Sequence, residues 1–255
     1  MDIPRLEIIG ITGLPEIRPG DRLGKMFVEA AQAQGTPLDD HDVLVVAQKA
    51  VSKAEGRFVD LRTVKPKAHA LQLAERSGKD ARLIQLVLLE TRHILKLDPD
   101  RGLIIGETRH GFVCANAGID ASNVPGEDTV LLLPEDPDAS AARIREEAMA
   151  EEDVRALGVV VSDTFGRAFR EGHTDVALGV AGFRAIVDYR GMRDAVGKEL
   201  RVTQMAMADE IAGAAEMVAG KANGIPAVIV RGLKLAEAKT DAKELLRDRK
   251  NDLFR

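Results

Sequence analysis

Short apolar runs of strand length occur along the chain without regular alternation with helices, and this order limits the possible folds more than any other feature. Residues 6–11, 43–47 and 158–162 are the clearest runs. Because doubly wound parallel sheets require strands that alternate with helices, the sequence favours an α+β fold with mixed sheets. Further short strands are predicted at residues 94–97, 103–108, 112–115, 129–133 and 227–231.

Helical periodicity appears in several separated segments. Asp21 is placed to cap a helix whose apolar positions recur at helical spacing, and Asp136 opens another helix that runs to about residue 150. Gly78 is a predicted helix stop. The charged tail, residues 237–255, is predicted to form a surface helix. Other helices are predicted at residues 67–77, 81–91 and 205–219.

The 255 residues contain no internal repeat, low-complexity tract or obvious interdomain linker. The glycine-containing stretch 166–197 is too apolar and too rich in specific side chains to be a flexible linker. We therefore expect a single unit over residues 1–255, with two intertwined subdomains as the alternative.

Composition argues against several classes of function. Aromatic residues make up 3% of the chain and Trp is absent, so the stacking platforms of single-strand nucleic-acid binders are missing. A net charge of -5 at pH 7 argues against a nucleic-acid or anionic-membrane surface. The N-terminus lacks a signal peptide pattern, and the apolar runs are far shorter than the ~20 residues that span a bilayer. Cys114 is the only cysteine, which suits a reducing cytosol. We expect a soluble cytoplasmic protein with no nucleic-acid or membrane partner.

A loop rich in Asn, Gly, Asp and Ser follows the predicted strand at residues 112–115. Asp120 in this loop can coordinate a hard cation, and Asn123 can hold a phosphate or sugar oxygen nearby, because Mg²⁺ prefers oxygen ligands. An Asx-rich turn, in which these side chains only satisfy local backbone groups, is the equally weighted alternative.

The buried strand predicted at residues 158–162 delivers Asp163 and Thr164 at its C-terminal end. Phosphate-handling enzymes often place a metal-binding carboxylate at such a position, although the same Asp can also cap the next element. Arg167 and Arg170 follow, and each can pair bidentately with phosphate or carboxylate. The alternative is that these arginines lie in a solvated loop without a functional role. Taken together, Asp163, Thr164 and the two arginines favour a functional role.

Two glycine-containing segments are candidate phosphate cradles, because glycine lets backbone N–H groups approach phosphate oxygens. Residues 13–16 follow the first strand, and residues 220–224 follow the Ala-rich helix. Lys49 and Lys53 can supply positive charge to a triphosphate, or can be two exposed lysines at a strand end. Neither segment is a Walker A loop or a G-x-G-x-x-G fingerprint, and glycines also terminate helices, so each signal is weak alone.

Several long strings are far more specific than these short motifs, and they occur in one collinear order: GLPEIRPGD, VLVVAQKAVSKAEGR, ETRHGFVCANAGIDASNV, LLLPEDPDASA, VVVSDTFGR, DYRGMRDAVGKEL, VTQMAMADEIAGAAEMVAGKANGIPAVIVRG and a terminal DLFR. With these strings the chain resembles the coenzyme F420 gamma-glutamyl ligase family from about Leu6 to the C-terminus. Some members of that family carry an additional nitroreductase-like domain after the ligase part, and none is expected here.

The resemblance implies a GTP-dependent enzyme that adds L-glutamate to the lactyl carboxylate of a coenzyme F420 precursor and then adds gamma-linked glutamates. An acyl phosphate is the expected intermediate, and GDP and phosphate are released. Mg²⁺ or Mn²⁺ is expected as cofactor, with K⁺ as an optional further ion, and the family forms homodimers with an α+β fold unlike P-loop proteins. The alternatives are an acid–amine ligase with another acceptor, and a nucleotide-binding regulator without turnover.

The resemblance also assigns roles to the residues of this sequence that match functional positions of the family. By similarity, Asp120 and Asp163 hold one divalent metal, Thr164 contributes to a second, and Asn123 contacts the nucleotide. Arg167 and Arg170 are expected to act with the two aspartates as catalytic residues. The expected GTP pocket comprises Leu14, Pro15, Glu16, Ile17, Gln48, Lys49, Lys53, Ala219, Gly220, Lys221, Ala222, Asn223, Gly224, Ile225 and Pro226.

Two departures from the family pattern concern the acceptor and the second metal. Ala168, Phe169 and His173 stand where members often have Pro, Trp and Gln, which can tune the acceptor pocket. Lys221 stands where some members place an amide or a carboxylate that helps to hold the second metal. Because a protonated lysine cannot coordinate a metal, the third ligand of that second site is left open.

Overall fold

The structure is a computed structural model that describes residues 3–122, 124 and 126–253. Its strands, in chain order, are β1 (Glu7–Ile11), β2 (Val43–Ala47), β3 (Phe58–Asp60), β4 (Thr91–Asp98), β5 (Leu103–Thr108), β6 (Val113–Ala115), β7 (Thr129–Leu131), β8 (Gly158–Gly166), β9 (His173–Ala181), β10 (Val187–Asp188), β11 (Gln204–Met205) and β12 (Ala227–Arg231). Its helices are α1 (Leu23–Ala33), α2 (Gln48–Ala54), α3 (Ala68–Ser77), α4 (Ala81–Glu90), α5 (Pro137–Glu151) and α6 (Met207–Ala219).

A five-stranded mixed sheet with the order β1-β12-β2-β8-β9 organises the fold. Strands β2 and β8 run parallel, with Val45 opposite Val160, whereas the other three pairings in this sheet are antiparallel. Three smaller sheets join β4-β5-β6, β3-β7 and β10-β11. The predicted α+β class is therefore confirmed, and the mixed sheet differs from the parallel sheets of P-loop and Rossmann folds.

Helices α1 and α5 cover one face of the central sheet. Phe27 of α1 and Ile144 of α5 are fully buried against sheet residues that include Leu44 and Val159. The two helices pack so closely at Gly24 that a Cβ there would lie 2.4 Å from the carbonyl oxygen of Ile144. Glycine at this position is therefore a packing requirement.

Helix α6 covers the opposite face of the same sheet. Its residues Ile211 and Ala215 are buried against Val45, Val160 and Val228. Because helices cover both faces, the central strands are apolar on both sides, which explains why their sequences are continuous apolar runs without alternation.

The segment between β3 and β7 forms a separate packing region beside the central sheet. Helices α3 and α4 pack there through Leu73, Ile84 and Val87 against Ile104 of β5. Gly78 ends α3 in a left-handed conformation with φ of 68°, as predicted from the sequence. Whether this region and the central sheet are two subdomains or one unit stays a prediction.

The structure differs from the sequence-based expectations at three elements. Asp21 does not cap α1; its carboxylate instead accepts from the backbone N–H of Arg18 at 2.7 Å, and Arg22 is the N-cap residue. The strand predicted at residues 158–162 continues to Gly166, because β9 pairs with it from Val159 to Gly166. Strand β9 itself lies in the stretch 166–197, for which no strand was predicted.

The tail is also different from the predicted surface helix. The described part of it contains two short 3₁₀ turns, Ala242–Leu245 and Arg249–Asn251. The backbone N–H of Ala242 donates to Asp138 at 2.8 Å, and Leu246 packs on Phe112 and Leu133. Tertiary contacts of this kind, which sequence periodicity does not encode, hold the tail in an irregular path. No helix of residues 3–122, 124 and 126–253 has both the length and the apolar content needed to cross a bilayer.

Candidate active site

A cleft of about 1200 Å³ opens at the edge of the central sheet where β1 and β2 end and β12 begins. Its walls come from the loop after β1, the start of α2, the middle of β8, the end of α6 and the loop after β6. The predicted site residues that line it are Leu14, Pro15, Glu16, Ile17, Gln48, Lys49, Lys53, Asp120, Asp163, Thr164, Ala219, Gly220, Lys221, Ala222, Gly224, Ile225 and Pro226.

Asp120 is fixed on one wall by its backbone and its side chain. Its N–H and C=O pair with Leu131 of β7 at 3.0 and 2.8 Å. One carboxylate oxygen, Oδ1, accepts from the N–H and the hydroxyl of Ser122, both at 2.7 Å, and the other, Oδ2, lies 2.7 Å from Lys49 Nζ. Burial alone would raise the pKa of Asp120, but the bonds from Lys49 and Ser122 lower it below its ordinary value. The carboxylate therefore makes the Asx turn considered above and also takes part in the cleft.

Asp163 lies deeper, in β8 directly after Ser162, the last residue of β8 that pairs with β2. It is thus at the end of the parallel pairing but not at the end of the strand, which corrects the position expected from the sequence. Burial raises the pKa of the Asp163 carboxyl to about 7; the Thr164 backbone N–H partly offsets this, and the charges of Asp175 and Asp120 add to it. No side-chain donor in the described part of the chain contacts this carboxyl. A bulge between Val161 and Ser162 shifts the register just before it.

Asp175 of β9 is a site residue that sequence reasoning missed. It is opposite Thr164 in the β8–β9 pairing and is 9% exposed. Its Oδ1 accepts from the Thr164 hydroxyl at 2.6 Å and from Lys221 Nζ at 2.9 Å, and Lys221 also contacts the Thr164 hydroxyl oxygen directly. The available signal was an Asp in the otherwise apolar run DVALGVA, but only the hairpin pairing brings it to Thr164.

Lys49 and Lys53 face the cleft from the first two turns of α2, which begins directly after β2. Their four-residue spacing puts both on one helix face. Lys53 Nζ contacts Glu16 at 2.5 Å, and the Lys53 side chain is only 12% exposed. Gln48 is buried and donates to Ser52 Oγ at 2.7 Å. The lysines are therefore held in the cleft and are not free surface residues.

Four predicted site residues do not line the cleft or lie outside the description. Asn223 packs instead beside Gly220. A Cβ added at Gly220 would lie 2.6 Å from Nδ2 of Asn223. Arg167 and Arg170 lie in the loop between β8 and β9, where the Arg167 guanidinium donates to the carbonyls of Glu171 and Gly172. Asn123 lies outside the described residues.

The donor chemistry of the cleft fits a divalent cation. Asp120, Asp163 and Thr164 offer hard oxygen ligands, and Mg²⁺ is usually held by one or two carboxylates with water and substrate phosphates. The partly buried Asp163 carboxyl would gain charge stabilisation from a cation, since no described side chain supplies positive charge by direct contact. No three His, Cys, Asp or Glu side chains of the described ranges converge as a complete metal-binding group. A cation at these two aspartates therefore requires ligands from substrate or solvent.

Comparisons with known proteins agree with one family. A sequence model described as F420-0:gamma-glutamyl ligase matches residues 12–232, which include every segment that lines the cleft. The coenzyme F420:L-glutamate ligase of Methanothermobacter thermautotrophicus is 45% identical over 253 residues, 98% of this chain and 99% of that protein. The proteins of the same description from Methanopyrus kandleri and Archaeoglobus fulgidus are 43% and 40% identical; they cover 99% and 98% of this chain, over 99% and 97% of their own lengths.

Proposed function

The chain belongs to the F420-0:gamma-glutamyl ligase family, and we propose that it joins L-glutamate to the carboxylate of a coenzyme F420 precursor with cleavage of GTP. The observation that carries this proposal is the convergence of Asp120, Asp163, Lys49 and Lys53, from three separate chain segments, in one cleft. The first glutamate forms an amide with the lactyl carboxylate, and later glutamates are gamma-linked.

The size and walls of the cleft support a nucleotide together with a second substrate. Its volume of about 1200 Å³ exceeds the ~300–1,000 Å³ of common small-molecule sites. Gly220 and Gly224 have φ of 58° and 67°, and a loop of this conformation lets backbone N–H groups approach phosphate oxygens. We assign the triphosphate to the side of the cleft near this loop, Lys49 and Lys53.

Asp120 and Asp163 would hold Mg²⁺ or Mn²⁺. When bound, the cation neutralises phosphate charge and allows two anions, the triphosphate and the acceptor carboxylate, to share the site. The Lys49–Asp120 ion pair gives Lys49 a role in binding both the nucleotide and the cation. When a phosphate oxygen becomes the partner of Lys49, the Asp120 carboxylate is released to serve as a ligand.

The proposed reaction balances in two steps. An oxygen of the acceptor carboxylate attacks the γ-phosphorus, the bond from that phosphorus to the bridging oxygen of GDP breaks, and GDP leaves with an acyl phosphate formed. The amine nitrogen of glutamate then attacks the acyl carbon, the carbon–oxygen bond to phosphate breaks, and phosphate leaves. The attacking nitrogen loses a proton to the departing phosphate or to water. Lys49 and Lys53 offset the negative charge that accumulates on the phosphates.

We also propose a cytoplasmic homodimer. Supporting this, four large apolar side chains between β8 and α6 are exposed, and a partner subunit would remove them from water. Light scattering of the purified protein tests the proposal. These exposed residues are Met192, Val196, Val202 and Met205.

The direct test supplies the purified protein with glutamate-free precursor, L-glutamate, GTP and Mg²⁺ or Mn²⁺. The expected result is a mass increment of one or more glutamyl units with matching GDP release. GDP release without a mass increment would point to an acid–amine ligase with another acceptor. Neither change, from folded protein that binds GTP, would point to a nucleotide-binding regulator.

A further inference from the structure

Lys221 lies at the end of the cleft formed by α6 and the β8–β9 pairing. Its ammonium group contacts the Thr164 hydroxyl, lies 2.9 Å from Asp175 Oδ1 and lies 3.7 Å from Glu216 Oε1. Three oxygen atoms from three elements therefore surround one positive charge. The arrangement resembles the oxygen environment of a hard metal cation, with an ammonium group at the centre.

Every lysine that lines the cleft contacts at least one carboxylate, and the carboxylates outnumber the lysines. The lining residues of the described chain include five carboxylates and three ammonium groups. Lys49 contacts Asp120, Lys53 contacts Glu16, and Lys221 contacts Asp175 together with Glu216. The remaining carboxyl is that of Asp163.

A second divalent cation at Thr164 and Asp175 would have to displace the Lys221 ammonium or lie beside it. Displacement would break the contacts of Lys221 with Thr164, Asp175 and Glu216, and close approach would place like charges together. A cation at Asp163 displaces no lysine, because no described side chain donates to that carboxyl. At Asp120 the cation separates Lys49, which can take a phosphate oxygen as its new partner.

We propose that Lys221 replaces the second divalent cation, so that each active site holds one divalent cation, at Asp120 and Asp163. This inference rests on the proposed function, since it assumes that the cleft binds a metal with a nucleotide. The lysine supplies a permanent positive charge at Thr164 and Asp175 that does not depend on the metal concentration. The chain therefore contains a latent second metal site that the lysine blocks.

The test is the number of Mn²⁺ ions bound per chain, measured by equilibrium dialysis with the β,γ-methylene analogue of GTP, which cannot transfer its phosphoryl group. Bound nucleotide is measured in the same samples. Wild-type protein is expected to bind one Mn²⁺ per chain. K221E is expected to bind two, because it removes the ammonium group and adds a carboxylate ligand to Thr164 and Asp175.

K234E is the matched control, because Lys234 follows the far end of β12 and does not line the cleft. It makes the same change of charge and is expected to bind one Mn²⁺. K221Q serves if K221E does not fold; it is expected to gain a second, weaker Mn²⁺. Circular dichroism of every variant reports its folding.

The outcomes separate the inference from the proposed function. Two Mn²⁺ per wild-type chain, with nucleotide bound, would overturn the role of Lys221 and leave the ligase proposal intact. One Mn²⁺ in the folded Lys221 variants would also overturn it, because no latent site would exist. Neither metal nor nucleotide bound to folded wild-type protein would overturn both.

Discussion

The Lys49 ammonium lies 2.7 Å from Oδ2 of Asp120, and the two side chains are comparably covered, at 27% and 29% exposure. The lysine comes from the first turn of α2 and the aspartate from a loop that is anchored on β7. Their contact joins the central sheet to the neighbouring packing region across the cleft. An ion pair at this place can exchange partners when an anionic ligand arrives, and this exchange is the basis of the first prediction.

K49Q is expected to weaken binding of a GTP analogue by about 10–100-fold, because a charge-assisted hydrogen bond contributes about 1.5–3 kcal/mol. Calorimetric titration with Mg²⁺ present measures the dissociation constant. The matched control is K25Q, since Lys25 also forms ion pairs, with Glu29 and Glu151, but lies on α1 outside the cleft. Equal losses of affinity in the two variants would contradict a phosphate role for Lys49.

D163N is expected to lower turnover by about 100-fold or more while the protein stays folded, because the amide cannot provide the anionic ligand. The same variant is expected to stabilise the metal-free protein at high pH. Burial raises the pKa of Asp163 to about 7, whereas it is about 4 in the unfolded chain. Above pH 7 both states carry the charge, but the folded state holds it partly buried and the unfolded state holds it in water, which favours unfolding.

The contribution of Asp163 to stability is therefore fully present below pH 4 and is lost as pH rises through 7. Relative to wild type, D163N is expected to gain up to about 4 kcal/mol at pH 8 and much less at pH 5. Denaturant unfolding in the presence of a chelator measures both values. A variant that is less stable than wild type at pH 8 would show that the carboxylate has a stabilising partner.

D175N is expected to lower the pKa of Asp163, because the charge of Asp175 is one of the groups that raise it. The pH-dependent loss of stability caused by Asp163 would then end at a lower pH in D175N than in the wild-type protein. Carbon-13 NMR of labelled aspartate carboxyls follows this titration directly in metal-free protein. An unchanged titration of Asp163 would mean that the charge of Asp175 does not contribute to its raised pKa.

Parts of this fold follow directly from the sequence. The cores of β2 and β8 are long apolar runs, and Asp136 caps α5 by accepting from the N–H of Ala139, so local patterns were sufficient there. Strand β9 was missed because Gly179 interrupts its apolar run and a polar loop precedes it. Its conformation depends on pairing with β8, which is a tertiary contact.

The site was also predictable only where local sequence identifies a residue, and not where a tertiary contact brings it into place. Asp120, Asp163 and the two lysines lie in long specific strings, and the structure brings them to one cleft. Asp175 could not be found by spacing, because a bulged hairpin places it opposite Thr164. The position of Lys221 between Thr164 and Asp175 likewise depends on where α6 ends relative to that hairpin.

G24A is expected to destabilise the protein by about 1–3 kcal/mol, because a Cβ at this position would lie 2.4 Å from a carbonyl oxygen of α5. G213A is the matched control. Gly213 is also inside a helix, but its added Cβ would meet its nearest atom at 3.5 Å, so the change is expected to gain up to about 1 kcal/mol. Urea unfolding compares the two; equal effects would contradict the close packing of α1 on α5.

Transfer of oxygen-18 from the acceptor carboxylate tests the central claim, activation of that carboxylate by phosphoryl transfer, most directly. The precursor is labelled in its carboxylate and incubated with wild-type protein, L-glutamate, GTP and Mg²⁺, and the released phosphate is analysed by mass spectrometry. We expect one labelled oxygen in phosphate for each amide bond formed. Unlabelled phosphate, or label in GMP, would contradict the proposed mechanism.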